Sequence, residues 1–336
     1  IVALSTAPGV GAIAVVRLSG PEASSILGRL MTEGAGLPAP RSPTVVELRD
    51  ADETLDRALV TRFLGPASYT GEDMVEISCH GGWMAPALIV DACERAGARQ
   101  AAPGEFTRRA YLHGKMDLLQ AEAVADLIDA RSRAFHRAAL TQLDRGLSRR
   151  VSGMRERLVR VEALLAHHVD FPEEDDAPVP LETVMAEGAS LSSEIAEMLA
   201  TAPEGELLRQ GALAVLAGRP NAGKSSLYNA LLGEERAIVT EEPGTTRDAL
   251  EAVVQIGGFP FRVVDTAGLR DAPERIEKLG VEVAHRYVNR ADVLLYCVAA
   301  DEGLSGADRS FLRGYAEAPV VLVETKADLA VPADQG

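Results

Sequence analysis

The chain has 336 residues, of which 47% are hydrophobic and 25% are charged, with a formal net charge of −16. This composition is typical of folded globular proteins and argues against extended disorder, and the length predicts two or three domains. The acidic balance disfavours nucleic-acid binding by the chain as a whole, so any RNA contact would need a local basic patch or a partner.

Three widely spaced cysteines, Cys79, Cys93 and Cys297, lie in apolar runs. Their number and spacing predict buried thiols rather than disulfides or a zinc site. No run of about 18 apolar residues and no signal-peptide pattern is visible. We therefore expect a cytoplasmic protein without membrane contact.

Short β-rich runs alternate with helical segments from Ile1 to about Lys115, which predicts an α+β domain. The predicted strands are Ala12–Leu18, Ala58–Phe63 and Met74–Ser78, and the predicted helices are Glu22–Met31 and Met84–Ala96.

Apolar residues then recur at helical spacing from Asp117 to about Val169, and this predicts long helices. Three prolines between positions 171 and 180 must interrupt them, and the four acids there could hold a metal, although a solvated connecting loop fits better. A further helix is predicted over Leu181–Leu199, before Ala202-Pro-Glu-Gly205. Six arginines could form an RNA patch or a solvated helix face, and we favour the helix face: Arg145, Arg149, Arg150, Arg155, Arg157 and Arg160.

A phosphate-binding motif follows the apolar run Ala212–Ala217. Residues Gly218–Ser225 fit G-x-x-x-x-G-K-[ST], with a predicted strand before and a predicted helix after the motif, as its function requires. Its glycines let backbone N–H groups face phosphate oxygens, Lys224 reaches the β- and γ-phosphates, and the Ser225 hydroxyl can ligate Mg²⁺. The sequence therefore predicts a nucleoside triphosphate site.

A second motif, Val263-Val-Asp-Thr-Ala-Gly268, places Asp265 at the end of an apolar strand, where it can hold Mg²⁺ through water. Gly268 can offer its N–H to a γ-phosphate. Between the two motifs, Pro243–Asp248 is typical of a switch segment in which Thr246 completes the Mg²⁺ shell only when the γ-phosphate is present, with a plain turn as the alternative.

The segment Thr325-Lys-Ala-Asp328 follows the predicted strand Val320–Val323. The Asp328 carboxylate can accept from the N1–H and 2-amino groups of guanine, whereas adenine would leave a buried carboxylate unpaired, so GTP is preferred over ATP. Many GTPases have Asn in place of Thr325, so base affinity could be weakened, although a hydroxyl can still form a hydrogen bond.

Leu269 stands where small GTPases with similar motifs carry a Gln, and an alkyl side chain cannot orient the attacking water. Hydrolysis must then be arranged otherwise. Asn221 could ligate a monovalent cation, together with oxygens from Thr240, Glu242 and Thr245.

Six more motifs lie in the first 130 residues: Val16-Arg-Leu-Ser-Gly20, Tyr69-Thr-Gly-Glu-Asp73, His80-Gly-Gly82, Pro103-Gly-Glu-Phe-Thr107, Lys115-Met-Asp-Leu-Leu-Gln-Ala-Glu122 and Asp126-Leu-Ile-Asp-Ala130. With Gly218–Ser226 and Gly244–Asp248, they make nearly the whole chain resemble the tRNA uridine 5-carboxymethylaminomethyl modification GTPases, the MnmE (TrmE) family. The six motifs are specific to that family, unlike the nucleotide motifs.

The resemblance implies a multidomain α/β protein. An N-terminal α+β domain (1–115) binds folate and dimerises, a helical domain begins at 116–210, and a Ras-like P-loop GTPase domain (211–336, incomplete at its C-terminus) is inserted in the helical domain. The implied cofactors are GTP, Mg²⁺, K⁺ and 5-formyltetrahydrofolate.

The resemblance also implies roles for individual residues. Arg17, Glu76 and Lys115 contact the folate, which offers a carboxylate tail to cations and a pterin edge to a carboxylate. Glu277 is the implied catalytic residue and acts on the attacking water through a second water. The K⁺ ligands are Asn221, Thr240, Glu242 (through its backbone) and Thr245. The GTP-binding set is Asn221, Ala222, Gly223, Lys224, Ser225, Ser226, Thr240, Thr245, Thr246, Asp265, Thr266, Ala267, Gly268, Thr325, Lys326, Ala327 and Asp328.

By the same resemblance, GTP hydrolysis drives addition of a carboxymethylaminomethyl or aminomethyl group at C5 of the wobble uridine (position 34) of tRNA. The implied assembly is a homodimer that forms a heterotetramer with a FAD-dependent MnmG-type partner. Family sequences end in a further helical segment and a Cys-x-Gly-Lys, while this chain stops at Gly336, so we expect the modification chemistry to belong to a longer parent protein.

Two alternatives stay open. One is a regulatory GTPase of ribosome assembly or of membranes without tRNA chemistry, against which the N-terminal motifs argue. The other is a non-catalytic folate-binding scaffold.

Overall fold

The chain forms two compact units, Ile1–Glu122 and Ala123–Gly336. The computed structural model describes residues 1–32, 34–171, 179–234, 251–266, 286–315 and 318–329. Within these ranges, the helices are too short or too polar to cross a membrane.

The first unit is an antiparallel sheet with helices, the α+β arrangement that the sequence predicts. Its strands pair in the order β1-β2-β5-β4-β3. The strands are β1 (Val2–Leu4), β2 (Ile13–Ser19), β3 (Thr44–Asp50), β4 (Glu53–Phe63) and β5 (Met74–His80), and the helices are α1 (Ala23–Leu30), α2 (Met84–Arg95) and α3 (Glu105–Leu112). Strands β1 and β3 and helix α3 were not predicted, and β4 begins five residues before the predicted strand.

The two faces of this sheet differ, because successive side chains of a strand point to opposite sides. One face is buried against α1 and α2, where Val16 and Ile77 pack with Leu27 and Ile89. The other face carries residues that remain accessible. They include Arg17, Glu76, Ile13, Val45 and Leu59.

Helices fill the chain from α4 to α8: α4 (Leu118–Asp129), α5 (Arg133–Leu143), α6 (Gly146–Asp170), α7 (Leu181–Ala200) and α8 (Ala202–Gln210). The predicted long helix breaks twice. The Ser132 hydroxyl accepts from the Phe135 N–H at 3.1 Å and starts α5, and Arg145 takes a left-handed backbone conformation with φ 63° before α6. The helix predicted over Leu181–Leu199 is confirmed as α7, and the segment that follows it begins the separate helix α8, with Pro203 in the first turn, where proline is tolerated.

Helices α6 and α7 pack through a small apolar cluster that includes Met154 and Leu191. Two of the six arginines considered for an RNA patch join the helices instead: Arg157 bonds Glu187 at 2.6 Å and Glu194 at 2.8 Å, and Arg150 lies 3.5 Å from Glu194. The helix-face interpretation therefore fits this part of the chain.

The rest of the second unit is a mostly parallel sheet, with β10-β9-β6-β8-β7 as the strand order in the described residues. Among its described strands, the β7–β8 pair is antiparallel and the others are parallel. Its elements are β6 (Ala212–Gly218), α9 (Lys224–Glu234), β7 (Glu251–Ile256), β8 (Phe259–Asp265), helical residues 286–290, β9 (Val293–Ala299), α10 (Gly306–Gly314), β10 (Val320–Thr325) and a 3₁₀ turn at Ala327–Leu329.

Strand β6 is central and apolar because both faces of the sheet are covered. Leu213 and Val215 belong to one core cluster and Ala214 and Leu216 to the other. The carboxyl ends of β6, β8 and β10 meet at one edge of the sheet, where α/β proteins bind their ligands.

Candidate functional site

The phosphate-binding motif forms a tight loop between β6 and α9. Gly218 has φ 135°, and a Cβ there would overlap the backbone carbonyl of Cys297, so glycine is required. Gly223 has φ 76°, and a Cβ there would lie 3.0 Å from the Thr325 Cβ. Asn221 also has a positive φ, 61°. The loop thus has glycine at the two positions where its backbone comes closest to Cys297 and Thr325.

The ammonium of Lys224 lies inside this loop. Its Nζ donates to the carbonyl oxygens of Gly218 at 3.1 Å and Arg219 at 2.7 Å, and the residue is only 6% exposed. A buried cation held on loop carbonyls is positioned to meet a phosphate bound in the loop.

A hydroxyl and a carboxylate meet beside the loop. Ser225 Oγ donates to Asp265 Oδ2 at 2.7 Å, and Asp265 is buried at the end of β8. Thr266 Oγ1 donates to the Leu216 carbonyl at 2.7 Å, which joins the end of β8 to β6. Two hard oxygens at this distance are ligand types that Mg²⁺ prefers.

The base-reading segment differs from the sequence-based expectation in two respects. Thr325 Oγ1 lies 2.8 Å from the Ala222 carbonyl oxygen and 3.2 Å from the Val298 carbonyl oxygen. Its single proton is therefore donated to the backbone and not to a bound base. Asp328 follows in the 3₁₀ turn and is exposed rather than buried. A bound base would itself have to exclude water from this carboxylate.

A polar cluster that the sequence analysis missed holds the start of the phosphate loop. Arg219 bonds Asp308 at 3.2 Å and Glu302 at 3.1 Å, and it donates to the Gly303 carbonyl at 2.8 Å. Asp308 is only 3% exposed and accepts from the Tyr296 hydroxyl at 2.7 Å. The sequence does contain one sign of this cluster: Ser305-x-x-Asp308 is a capping-box pattern, and in the structure it caps the start of α10.

Hydrogen bonds set the ionisation of this cluster. Burial alone would raise the pKa of Asp308, but hydrogen bonds from Ser305 and Tyr296 and the charge of Arg219 hold that pKa below its usual value. Burial and the bond to Asp308 raise the pKa of Tyr296. The carboxylate therefore stays ionised and keeps its attraction for Arg219.

Several predicted site residues lie outside the described residues. They are Thr240, Glu242, Thr245, Thr246, Ala267, Gly268, Leu269 and Glu277. Residues 172–178 of the acidic stretch at 171–180 also lie outside the described residues. In the described part of the chain, no three His, Cys, Asp or Glu side chains are grouped so that they could hold a metal.

The first unit brings two of the three predicted folate contacts together on its accessible face. Arg17 on β2 bonds Glu76 on β5, at 2.7 Å from Nη2 and 3.1 Å from Nε. The guanidinium lies 5.3 Å from the ring centre of Tyr69 and 5.6 Å from that of Phe106. Both rings fall in family motifs, but sequence reasoning gave neither a role.

Lys115, the third predicted folate contact, is fixed on the loop that carries Tyr69. Its Nζ donates to the Pro66 carbonyl at 2.8 Å. Its stem lies against Gly71, where a Cβ would come within 3.3 Å of the lysine Cγ.

An ion-pair chain supports the same region. Arg109 bonds Glu72 at 3.0 Å and Glu105 at 3.1 Å, and Arg99 bonds Glu105 at 2.6 Å. Hydrogen bonds from the Arg99 side chain and the Ala102 backbone lower the pKa of Glu105 to about 2.

All three cysteines are buried and unpaired with one another, as predicted. Burial raises the pKa of Cys79 to about 11, that of Cys93 to about 12 and that of Cys297 to about 11. Such thiols stay protonated at neutral pH and are poor nucleophiles.

Two family models match separate parts of the chain. One, described as GTP-binding protein TrmE N-terminus, matches residues 1–115, and the other, described as 50S ribosome-binding GTPase, matches residues 213–326. The tRNA modification GTPase MnmE of Heliobacterium modesticaldum is 42% identical over 337 residues, covering 98% of this chain and 72% of that protein.

This chain belongs to the MnmE family. The MnmE protein of Neisseria meningitidis serogroup C (strain 053442) is likewise 42% identical, over 100% of this chain and 75% of its own length. The Arg17–Glu76 pair lies within the part matched by the TrmE N-terminal model, and the Ser225–Asp265 pair lies within the part matched by the GTPase model. A crystal structure of an Aquifex aeolicus Era variant with GDP and aluminium fluoride is 31% identical, with a TM-score of 0.28 over 36% of this chain and 42% of that one.

Proposed function

We propose that this chain binds and hydrolyses GTP and that hydrolysis serves the modification of tRNA. The observation that carries the proposal is the contact of Ser225 with Asp265 at 2.7 Å beside a closed phosphate loop. Membership of a family whose relatives are named tRNA modification GTPases supports the biological role.

The described residues fit GTP and Mg²⁺. A Cβ at Gly218 would overlap Cys297 and one at Gly223 would crowd Thr325, so the two glycines let the loop keep the close curvature that phosphate binding needs, and Lys224 already lies inside the loop. Ser225 and Asp265 would hold Mg²⁺, which neutralises charge on the phosphates when bound. In the same proposal, Asp328 selects guanine, and Asn221, Ala222, Ser226, Thr240, Thr245, Thr246, Thr266, Ala267, Gly268, Thr325, Lys326 and Ala327 complete the nucleotide site.

We also propose that K⁺ assists hydrolysis, bound by Asn221, Thr240, Glu242 and Thr245, with Glu277 acting on the attacking water. The support is chemical: a leucine follows Asp-Thr-Ala-Gly, so no glutamine orients the water at that place. GTP turnover measured in KCl and in NaCl at equal ionic strength tests the proposal. We expect stimulation by K⁺, and equal rates in both salts would refute the cation site.

The first unit fits a reduced folate. Arg17 and Glu76 offer a charged pair, and Tyr69 and Phe106 offer ring faces beside it. We propose that these residues and Lys115 bind 5-formyltetrahydrofolate, which would supply a one-carbon unit. Titration calorimetry with this compound should show binding to the wild-type chain and at least tenfold weaker binding to Arg17→Ala.

Arg49→Ala is the matched control for that titration. Arg49 lies on β3 of the same sheet and pairs with Glu47 at 3.5 Å. Its replacement removes the same charge and should leave the folate affinity unchanged. Equal loss in both variants would point to general electrostatics instead of a folate contact.

The larger arrangement is also a proposal: domains at 1–115, 116–210 and 211–336, with the Ras-like GTPase domain inserted in the helical one. In support, α6 and α7 border an apolar groove of about 820 Å³, lined by Leu158, Ile195 and Leu199, which a further helical segment would cover. The accessible sheet face of the first unit suits a homodimer.

We further propose a cytoplasmic assembly with a FAD-dependent MnmG-type partner, acting on the wobble uridine of tRNA. The two rival functions predict different results in the assays above. A regulatory GTPase would hydrolyse GTP without binding folate, and a folate-binding scaffold would bind folate without hydrolysing GTP.

A further inference from the structure

A groove of about 640 Å³ lies between the start of α5 and the turn that joins β7 to β8. Arg133 and Arg137 line its helical side, and Gln255 and Phe259 line the other. The Ala134 N–H donates to the carbonyl of Gly258 at 3.3 Å, so helix and turn are joined directly. The phosphate loop and the base-reading segment contribute no residue to the lining of this groove.

Its charge differs from that of the chain as a whole. The lining residues include two arginines and no acid, although the chain carries a formal charge of −16. Arg133 and Arg137 are exposed, and neither forms an ion pair with any described residue. Arg150 and Arg157 on α6, by contrast, are paired with glutamates.

The spacing of the two arginines suits a phosphate backbone. Residues four apart lie on one side of a helix and are separated by about 6 Å along its axis. A strand of a DNA duplex advances about 3.4 Å per nucleotide along its axis, and an unstacked single strand is more extended than that, so the distance between neighbouring phosphates is similar to the distance between the two arginines. Arg133 and Arg137 can therefore meet phosphates of the same strand.

The opposite wall offers an aromatic surface. Phe259 is 53% exposed, although a large apolar side chain is usually buried. A Cβ at Gly257, two positions before Phe259, would meet nothing within 4 Å, so the turn is open at that position. The Gln255 amide can both donate to and accept from a base edge.

We propose that this groove binds a single-stranded segment of RNA, with Arg133 and Arg137 on its phosphates and a base stacked on Phe259. Unpaired arginines next to an exposed ring are the combination that recognises unstacked RNA bases. An acidic protein segment would use the arginines but would have no need of the ring. The inference rests on the proposed role in tRNA modification and adds the place of contact.

The test measures binding of the whole chain to an unmodified tRNA transcript by filter binding at several KCl concentrations. For Arg133→Ala/Arg137→Ala we expect at least a tenfold rise in Kd and a salt slope reduced by about 1.4, since each phosphate of a single strand contributes about 0.7. For Phe259→Leu, which keeps apolar bulk, loss of stacking predicts a Kd raised about 5- to 150-fold.

Arg155→Ala/Arg160→Ala is the charge-matched control, because these two residues are exposed on α6 and make no ion pair with a described residue. Its Kd for tRNA should stay within about twofold of the wild-type value, which allows for the weak long-range effect of two charges. Unchanged GDP binding by every variant verifies that the fold is intact.

The outcomes separate the groove from the proposed function. If the wild-type chain binds tRNA and the groove variants match the control, the groove inference is wrong while the tRNA role stands. If only the arginine variant weakens binding, the site is a general anion surface, as for an acidic protein, and the stacking model fails. If the wild-type chain hydrolyses GTP but does not bind tRNA, both the proposed role in tRNA modification and the proposed RNA binding in the groove are refuted.

Discussion

The hydroxyl of Thr325 provides the sharpest test of how the nucleotide site is built. It lies at the end of β10 and contacts the carbonyl of Ala222 at 2.8 Å, which joins the base-reading segment to the phosphate loop. Thr325→Val removes the hydroxyl and keeps the branched shape, including the contact with Gly223. The variant therefore perturbs one hydrogen bond and little else.

The size of the effect follows from the surroundings of the acceptor. Ala222 is only 5% exposed, so its carbonyl would find little water in place of the lost partner. An unsatisfied buried acceptor costs about 1–3 kcal/mol. That energy corresponds to about a 5- to 150-fold change in an equilibrium constant, and this factor is the upper limit for the rise in nucleotide Kd.

The assay is competition of GDP and of ADP against a fluorescent guanine nucleotide. We expect Thr325→Val to raise both constants by the same factor, since the hydroxyl holds the phosphate loop and Asp328 selects the base. Thr325→Ser keeps the hydroxyl and should behave as the wild-type chain. If the valine variant instead lowered only the preference for GDP over ADP, the hydroxyl would be reading the base and the structural argument would be refuted.

Two further predictions concern other charged groups. Ser225→Ala removes one hydrogen-bond donor to Asp265, a bond of about 1.5–3 kcal/mol to a charged group, so GTP turnover should fall about 10- to 150-fold and should need more Mg²⁺. An unchanged Mg²⁺ dependence would contradict the assignment. The pKa of Glu105 is lowered to about 2 by Arg99, so its stabilising contribution is complete above the usual value near 4.3 and is lost as pH falls from there to about 2. Urea unfolding followed by Trp83, the chain's single tryptophan, should show this loss in the wild-type chain and a smaller one in Glu105→Gln.

The phosphate loop could be predicted from sequence because its chemistry lies in consecutive residues. Gly218, Gly223, Lys224 and Ser225 lie within eight consecutive residues, with a strand visible before them as an apolar run and a helix predicted from Ser226 onward. In the structure these residues form the loop between β6 and α9 and the start of α9. Asp265 was predictable for a related reason, since the end of a parallel strand next to β6 must reach the same edge of the sheet.

Contacts between distant parts of the chain were not predictable in this way. Arg219 and Asp308 lie 89 positions apart in the sequence, and the sequence around either residue does not indicate that it contacts the other. The rings around Arg17 come from two separate loops, at Tyr69 and Phe106. Such pairs are selected by tertiary packing, which periodicity and spacing do not encode.

The helix boundaries predicted between Asp117 and Val169 were wrong for a local reason. From Asp117 to Val169 no proline and no glycine other than Gly146 and Gly153 interrupts the apolar pattern, so the pattern favours continuous helix. The breaks instead use a serine N-cap at Ser132 and a left-handed arginine at Arg145. A left-handed residue that is not glycine is uncommon and has little sequence signature.

The arrangement of Arg219 bears on how hydrolysis obtains its extra positive charge. Transferring phosphoryl groups develop charge that GTPases often stabilise with an arginine, and Arg219 is the arginine of the phosphate loop. Its guanidinium is already held by Glu302, Asp308 and the Gly303 carbonyl, and releasing it would leave the buried Asp308 carboxylate without its cation, which is strongly unfavourable. Arg219 is therefore fixed as a structural residue of the loop. The missing charge has to come from another cation, and this favours the K⁺ site proposed at Asn221, only two positions further along the same loop.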